Sequence, residues 1–353
     1  MEVSGWWYRQ EKTPKLKGLT DKQRVEWSQE DQVGGWDDRR ANLKDLRLPA
    51  ESSEDELLID EFIPENLTPH KFLHNYVLPQ RPVVVRGVTS NWIMAENWRK
   101  KTFMKRYGSE KFNVTNVDGA VTELTAKDFT KQTLDANGGK PKKKHAKGPL
   151  AMPSVEPMLI HSREAARRDS RQFLKSLEAI PGFQGWVDDM NQNGSAMYLP
   201  QAMDFTLGPG WSGLPPHVDD HSWSALAFGA RRYALWPPGA ANGEMKLTRT
   251  AGAEGSVGAG ADWLGDVLPT MMNVDGQTGV PPAEGNAVPF LVTVEAGDVL
   301  YVPSGWIRGW VNLQESVGIA EVFRPNLSEE RAYALIADPN GHTLNDDMAL
   351  IDG

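Results

Sequence analysis

The sequence predicts a mainly β protein with flanking helices, in which the strands occupy the C-terminal half of the chain. From Met197 onward, short apolar stretches rich in Val, Ile, Leu and aromatic residues are separated by Gly and Pro turn signals. Before Met197, apolar residues recur every three to four positions between capping signals, which is typical of helices. The 353 residues are enough for one large domain with appendages, or for two domains.

Residues 1–54 are polar and charged, and their tryptophans show no apolar periodicity. This composition is typical of an extended N-terminal arm that contacts a partner or its own domain. Trp6 and Trp7 are large aromatic residues in a polar setting, and we interpret them as anchors for a protein partner.

Residues 55–190 are predicted to contain the helices. The predicted elements are a helix "PHKFLHNYVL" capped by Thr68, a strand "RPVVVRGV" closed by Gly87, a helix "NWRKKTFMKRYG" stopped by Gly108, a helix "TAKDFTKQTL" capped by Thr125, and a helix "SREAARRDSRQFLKSLEAI" that begins at Ser162. Residues 135–157 are predicted to be a loop. The lysines of residues 140–147 are interpreted as part of a solvated loop rather than a nucleic-acid patch.

Residues 191–325 are predicted to form a barrel or sandwich. The predicted strands lie in "AMYLPQAMDFTLG", "SALAFG", "RRYALWPP", "PFLVTVEAGDVLYVPSG", "IRGWVNL" and "SVGIAEVF". Residues 240–288, which include the Gly/Ala-rich "AGAEGSVGAG", are interpreted as an insertion between strands. Residues 326–353 are predicted to form a final helix that opens at Ser328, followed by a tail.

The composition narrows the classes of function. A net charge of -9 disfavours general nucleic-acid binding, and the absence of Cys leaves His, Asp and Glu as the strong metal ligands. No apolar run is long enough to span a membrane, and the N-terminal residues do not have the order of a signal peptide. We therefore expect a soluble, intracellular protein.

His217 and Asp219 are the first candidate site residues. Two residues apart on a strand, their side chains point to the same face and can reach one ion. They would supply two of the three ligands in the two-His, one-carboxylate triad of a non-haem Fe(II) site. His221 would need a bend in the strand to act as a further ligand, so a rim or core histidine is the alternative. His217 could likewise be only a hydrogen-bonded interior histidine.

The order of "PPHVDDHSWSALAFGARRYALWPPG", the insertion and "VEAGDVLYVPSGWIRGWVNLQESVGIAEVF" resembles the Jumonji C (JmjC) family of 2-oxoglutarate and Fe(II) oxygenases. "PQRPVVVRGVTSNW" is similar to that family's N-terminal lead-in, and "AGDVLYVPSGW" is the most specific stretch. The resemblance covers residues 55–325. It implies a double-stranded β-helix core, which is a cupin-like jelly roll, and Fe(II) and 2-oxoglutarate as cofactors of active members.

Two residues depart from the pattern that the resemblance implies. Arg308 stands where the second iron-binding His is expected, and Arg231 stands where a Lys holds the cosubstrate carboxylate. A guanidinium about 4 Å from a divalent ion opposes its binding by roughly 8 kcal/mol at an effective dielectric constant near 20. We therefore predict that Arg308 pairs with Asp219 in place of iron. Arg231 remains able to bind a dicarboxylate.

Trp223, Tyr233 and Trp306 are candidate pocket aromatics, although large aromatic side chains more commonly fill a barrel core. Three functions follow. The first is a JmjC-like protein with a degenerate oxygenase centre and no cofactor, which serves as a structural or scaffolding subunit of an assembly. The second is an active Fe(II)- and 2-oxoglutarate-dependent protein hydroxylase. The third is a metal-free barrel that binds a small molecule in a polar pocket around Arg231 and Trp223.

Overall fold

The structure is a computed structural model. The residues that it describes are 33–41, 59–63, 66–67, 69–88, 97–115, 121–135, 150, 158–162, 198–238, 248–249 and 289–325. Several predictions fall outside them, namely Thr68 as a cap, the helix after Ser162, the helix from Ser328, the lysines of residues 140–147, and Trp6 and Trp7. Most of the predicted 240–288 insertion is also outside the described residues.

The helical elements lie before the barrel strands. Strand β1 (Asp60–Phe62) precedes α1 (Pro69–Phe72), which continues as a π-helical turn (Leu73–Val77), and then come β2 (Val83–Val85), α2 (Lys100–Tyr107), β3 (Lys111–Thr115), β4 (Val121–Thr125), α3 (Ala126–Phe129) with a π-helical turn (Thr130–Leu134), and β5 (Leu159–Ser162). None of the helices in the described part of the chain is long and apolar enough to cross a membrane.

The remaining strands form the β core. They are β6 (Tyr198–Gly208), β7 (Gly213–Val218), β8 (His221–Phe228), β9 (Ala230–Trp236), β10 (Thr248–Arg249), β11 (Phe290–Glu295), β12 (Val299–Val302), β13 (Ile307–Asn312) and β14 (Ser316–Pro325). Each predicted strand stretch from Met197 onward contains at least one of them. The strand "RPVVVRGV" and the helices over 69–78, 97–108 and 125–134 are also present.

Within the described residues, the strands form two sheets. The larger sheet has the order β1-β2-β12-β8-β14-β6-β5-β3-β4, and the smaller has the order β10-β7-β13-β9-β11. Strands from the start of the β core pair antiparallel with strands from its end, as β6 does with β14 and β7 does with β13. The larger sheet thus holds β6, β8, β12 and β14, and the smaller sheet holds β7, β9, β11 and β13. This arrangement confirms the predicted double-stranded β-helix.

The two faces of the larger sheet have different chemistry. On β6, Phe205 and Leu207 belong to an aromatic-rich core cluster shared with the N-terminal helices. Thr206, between them, is also buried, but its hydroxyl group contacts Arg231 of the smaller sheet. Since successive side chains of a strand alternate between faces, Thr206 points into the barrel interior. On β6, the outer face of the larger sheet is thus apolar, whereas the inner face carries a polar group.

Two local predictions have clear physical outcomes. Thr125 caps α3 as predicted, because its Oγ1 accepts a hydrogen bond from the Asp128 backbone N–H at 3.1 Å. The tight β8–β9 turn contains Gly229 at φ +93°, where an added Cβ would lie 2.5 Å from the Glu315 carbonyl oxygen. Only glycine fits that turn without strain. The β3–β4 hairpin and β5 were not predicted from the sequence.

A buried ion-pair network joins the lead-in strand β2 to the turn between β11 and β12. The Asp298 carboxylate accepts hydrogen bonds from Arg86 Nη1 at 2.5 Å, from the Gly87 N–H at 3.1 Å and from the Glu295 N–H at 2.9 Å. Arg86 also pairs with Glu61 of β1. The most specific stretch of the sequence, "AGDVLYVPSGW", therefore contributes an acid that attaches the lead-in to the barrel.

Residues 33–41, which we call the strap, lie against the domain itself. Trp36 is buried and donates its indole N–H to the Trp98 carbonyl at 3.0 Å. The Asp37 N–H donates to Glu315 Oε2 at 2.8 Å, and the Ala41 N–H donates to the Leu313 carbonyl at 2.6 Å. This part of the predicted N-terminal arm thus packs on the turn between β13 and β14.

Candidate functional site

The site is built around a cross-strand pair. Arg308 of β13 is the direct neighbour of His217 in the antiparallel pairing of β7 with β13. Both side chains are buried, with 4% of each residue exposed. The barrel therefore places a permanent positive charge beside the first candidate metal ligand.

His217 is held in one tautomer. Its Nδ1 lies 2.8 Å from the Pro215 carbonyl oxygen, and because a carbonyl can only accept, Nδ1 carries the proton. Nε2 then has a free lone pair, and it lies 3.7 Å from Asp219 Oδ2. Burial lowers the pKa of His217 to about 4; the Asp219 carboxylate opposes this shift and the Arg308 guanidinium reinforces it. His217 is therefore neutral at physiological pH.

Asp219 lies beyond the end of β7, so one premise of the strand-alternation argument was wrong. Strand β7 ends at Val218, and Asp219 and Asp220 form the turn that leads into β8. The turn still brings Asp219 to His217, as the spacing predicted, but through the bend of the chain and not along a continuous strand.

Arg308 donates hydrogen bonds to the turn between β7 and β8 and to the start of β8. Its Nη1 donates to Ser222 Oγ, and its Nη2 donates to the Asp220 carbonyl oxygen at 3.0 Å. Both acceptors belong to the turn between β7 and β8 or to the first residues of β8. The predicted ion pair between Arg308 and Asp219 stays a prediction.

His221 has a different environment from the one a third ligand needs. It is buried, its Nδ1 lies 2.7 Å from the Tyr301 hydroxyl oxygen, and its ring packs against Tyr301 and Phe323. Burial lowers its pKa to about 4, with Asp220 opposing the shift and Arg308 reinforcing it. Tyr301 and Phe323 belong to the aromatic-rich core cluster that Phe205 and Leu207 share with the N-terminal helices, so His221 lies on the opposite face of the larger sheet from Ser222.

Around His217, the described residues supply fewer donors than a non-haem Fe(II) site requires. Among the described residues, no three His, Asp or Glu side chains are grouped so that they could hold a metal ion. His217 and Asp219 provide two donors, and Arg308, which the family resemblance places at the third position, cannot coordinate a cation. A non-haem Fe(II) site requires three protein ligands.

A second histidine–carboxylate pair was missed in the sequence. His161 Nε2 of β5 lies 3.7 Å from Asp204 Oδ2 of β6, and His161 is close enough to His217 to influence its pKa. Asp204 shares the inner face of β6 with Thr206. The short strand "LIHS" has one histidine between apolar neighbours, so nothing in its local pattern indicated an interior partner.

Arg231 is fully enclosed by neutral groups. Its Nε donates to Asn312 Oδ1 at 3.0 Å, its Nη1 to the Tyr233 hydroxyl at 3.3 Å and its Nη2 to Thr206 Oγ1 at 3.0 Å. The guanidinium carbon lies 3.6 Å from the ring centre of Trp310. Within the part of the chain that the structure describes, Arg231 forms no ion pair with a carboxylate.

The three candidate pocket aromatics do not form one group. Tyr233 and Trp306 belong to a core cluster that also contains Leu235 and Trp310, whereas Trp223 belongs to the aromatic-rich core cluster on the outer face of the larger sheet. The expected pocket around Arg231 and Trp223 was therefore wrong, because the two side chains lie on opposite sides of the larger sheet. The aromatic neighbour of Arg231 is Trp310.

Comparison with known proteins agrees with this architecture. Residues 69–308 match the family described as a cupin-like domain. The bifunctional arginine demethylase and lysyl-hydroxylase psr-1 of Caenorhabditis elegans is 23% identical over 259 residues, which are 72% of this chain and 58% of that protein. JmjC domain-containing protein 8 of Rattus norvegicus is 23% identical over 260 residues, which are 72% of this chain and 78% of that protein.

The name of a further relative mentions 2-oxoglutarate and iron. The 2-oxoglutarate and iron-dependent oxygenase JMJD4 of Gallus gallus is 26% identical over 141 residues, which are 37% of this chain and 28% of that protein. The chain spans about half the length of several curated relatives that it matches.

Proposed function

Because the chain belongs to the cupin-like domain family and has relatives named as JmjC proteins, we propose that it is a JmjC-like protein with a degenerate oxygenase centre. It serves as a non-catalytic structural or scaffolding subunit of a larger assembly. The observation that carries the proposal is Arg308, which lies directly opposite His217 and donates to Ser222 and to the Asp220 carbonyl.

The electrostatic argument concerns the third ligand position. An iron site there would lose a ligand and gain a buried positive charge, and each change weakens the binding of a divalent cation. Asp219 alone offsets one unit of charge. In this proposal, Arg308 supplies inside the chain the positive charge that a metal ion supplies in active oxygenases.

Partner binding through the N-terminal arm is the second part of the proposal. The strap, residues 33–41, packs on the domain, and we assign partner binding to residues 1–32 of the arm. Trp6 and Trp7 are the anchors that we propose for a protein surface.

Calorimetric titration of the purified protein tests the non-catalytic assignment. Under anaerobic conditions we expect no saturable heat with Mn(II), used in place of Fe(II), in the presence of 2-oxoglutarate. The matched control is the His217→Ala variant, which should give the same trace as the unaltered protein. Micromolar uptake that disappears in His217→Ala would contradict the proposal.

An active Fe(II)- and 2-oxoglutarate-dependent protein hydroxylase is the second candidate. The tautomer of His217 favours it, because a carbonyl-bound Nδ1–H leaves Nε2 directed to the side of Asp219, as in histidines that bind metals. In that case His217 and Asp219 would hold the iron, which would supply the oxidising chemistry, and Arg231 would orient the cosubstrate carboxylate. Release of succinate from 2-oxoglutarate by the purified protein with Fe(II) and O₂ would decide for this candidate.

A metal-free barrel that binds a small molecule is the third candidate, and it too depends on Arg231. A guanidinium buried among neutral hydrogen-bond partners can accept an anionic ligand. Binding of 2-oxoglutarate without metal, and its loss in Arg231→Met, would support this candidate over the scaffold.

A further inference from the structure

Two arginines cross the barrel interior from the smaller sheet to the larger one. Arg308 of β13 reaches Ser222 of β8 and the Asp220 carbonyl oxygen. Arg231 of β9 reaches Thr206 of β6. In each case the arginine is on a strand of the five-stranded sheet, and the hydroxyl acceptor is on a strand of the nine-stranded sheet.

The two contacts lie at different levels of the barrel. Arg308 pairs with Leu235 in the register of β13 with β9, whereas Arg231 pairs with Asn312. The two arginines are therefore four residues apart along these strands, which corresponds to about 13 Å. The sheets are joined at two separated points along their length.

The chemistry of the guanidinium suits this role. A planar group with five N–H donors can bond to several acceptors at once and loses less hydration on burial than an ammonium group. Arg231 is also fixed from its own sheet, by Asn312 and by the ring of Trp310. A buried cation of this kind is stable only while its hydrogen bonds are made, so separating the sheets is opposed at each arginine.

We propose that Arg308 and Arg231 are inter-sheet cross-links that hold the barrel closed without any bound ligand. They occupy the positions where the family resemblance places a metal ligand and a cosubstrate ligand. In this chain, the residues at both positions secure the sheets to each other. The inference concerns the stability of the barrel and goes beyond the proposed scaffolding function, since cross-links can exist in a barrel with any partner.

Double-mutant cycles of unfolding in denaturant test each cross-link. For the first, the variants are Arg308→Met, Ser222→Ala and the double variant. We expect a coupling of about tenfold or more in the unfolding equilibrium constant, because a hydrogen bond between a charged group and a buried hydroxyl is lost in either single variant. For the second, the variants are Arg231→Met, Thr206→Val and the double variant, with the same expectation.

Ser224→Ala provides the matched control. Ser224 lies two residues after Ser222 on the same face of β8, and its cycle with Arg308→Met should show less than about a twofold coupling. If Arg308→Met does not fold, the cycle is measured with Arg308→Lys, which keeps the charge but not the fork. A coupling of Ser222 with Arg308 that is no larger than that of Ser224 with Arg308 would overturn the first cross-link. A coupling of Thr206 with Arg231 that is no larger than this Ser224 control would overturn the second.

Thermal unfolding with ligands separates this inference from the proposed function. We expect Mn(II) and 2-oxoglutarate together to leave the unfolding temperature of the unaltered protein within about 1 °C of its ligand-free value, since a ligand stabilises only the state that it binds. A larger rise would overturn the non-catalytic assignment. It would also overturn the statement that the barrel is held closed without any bound ligand. The double-mutant cycles would then still decide whether the arginines join the sheets.

Discussion

Arg308 lies directly opposite His217 across the antiparallel pairing of β7 and β13. The pairing fixes the backbone positions of both residues, so replacing Arg308 changes the chemistry of the site without moving His217. A single substitution at position 308 can therefore remove the positive charge and add a metal ligand.

Arg308→His should therefore create a site that binds Mn(II), with His217, Asp219 and the new imidazole as ligands. We also expect the variant to be less stable by about 3 kcal/mol, because Ser222 Oγ and the Asp220 carbonyl lose a buried charged donor. Calorimetry and denaturant unfolding measure the two effects.

Arg308→Gln is the control for the gain of metal binding, since it removes the charge without adding a ligand. His217→Ala in the Arg308→His background should abolish the new binding. If Arg308→His and Arg308→Gln bind Mn(II) equally, the added imidazole is not a ligand and the geometric argument is wrong.

Acid should destabilise the protein between pH 6.5 and pH 4. His217 and His221 have pKa values lowered to about 4 by burial, against an ordinary value of 6.5. A lowered pKa means that the folded state favours the neutral ring, so this stability is complete above pH 6.5 and is lost as the pH falls toward 4. For His221 the loss at pH 4 is roughly 3 kcal/mol.

Chemical denaturation at a series of pH values measures this dependence. His221→Gln should reduce the acid-dependent loss between pH 6.5 and pH 4 by roughly 3 kcal/mol, since it removes one of the two buried rings. If the free energy of unfolding depends on pH in this variant as it does in the unaltered protein, protonation of His221 does not destabilise the folded state.

Asp298→Ala should destabilise the protein by about 3 to 5 kcal/mol, because it leaves the largely buried Arg86 without its buried counter-ion. The matched control is Glu61→Gln, which alters the other carboxylate bound by Arg86. The Glu61 side chain is 46% exposed, so its loss should cost less than about 1 kcal/mol. Equal effects of the two substitutions in urea unfolding would refute the distinction between the buried and the exposed partner.

Trp36→Ala should cost about 3 to 5 kcal/mol, because it removes a buried aromatic ring and the bond to the Trp98 carbonyl. Arg40→Ala, in the same strap, removes an ion pair with Glu295 whose side chains are 40% and 45% exposed, and should cost less than about 1 kcal/mol. A cost below about 1 kcal/mol for Trp36→Ala would mean that the strap is not part of the folded domain.

The barrel strands were predictable because their apolar residues and Gly or Pro boundaries are local signals. Strand β5 and the β3–β4 hairpin were missed since "LIHS" is short and β4 is largely exposed, with few of the apolar residues that indicate a strand. The pairing of β6 with β14 joins residues more than 100 positions apart and was not predicted, because no local pattern indicates it; the family resemblance implied only the double-stranded β-helix to which it belongs.

The candidate site was predictable in its residues but not in its geometry. The spacing of His217 and Asp219 predicted their proximity, whereas the facing of Trp223 depends on which side of the larger sheet the helices cover. Similarly, the acceptors of Arg308 and Arg231 lie on other strands, 86 and 25 residues away along the chain. No window of sequence around either arginine includes them.

The strap also has a mechanical consequence. It is attached at Leu313 and Glu315, which follow the last residue of β13, while Arg308 lies near the first. The strap thus fastens the turn after β13 to the helical layer through Trp36 and Trp98, at the end of that strand opposite to Arg308.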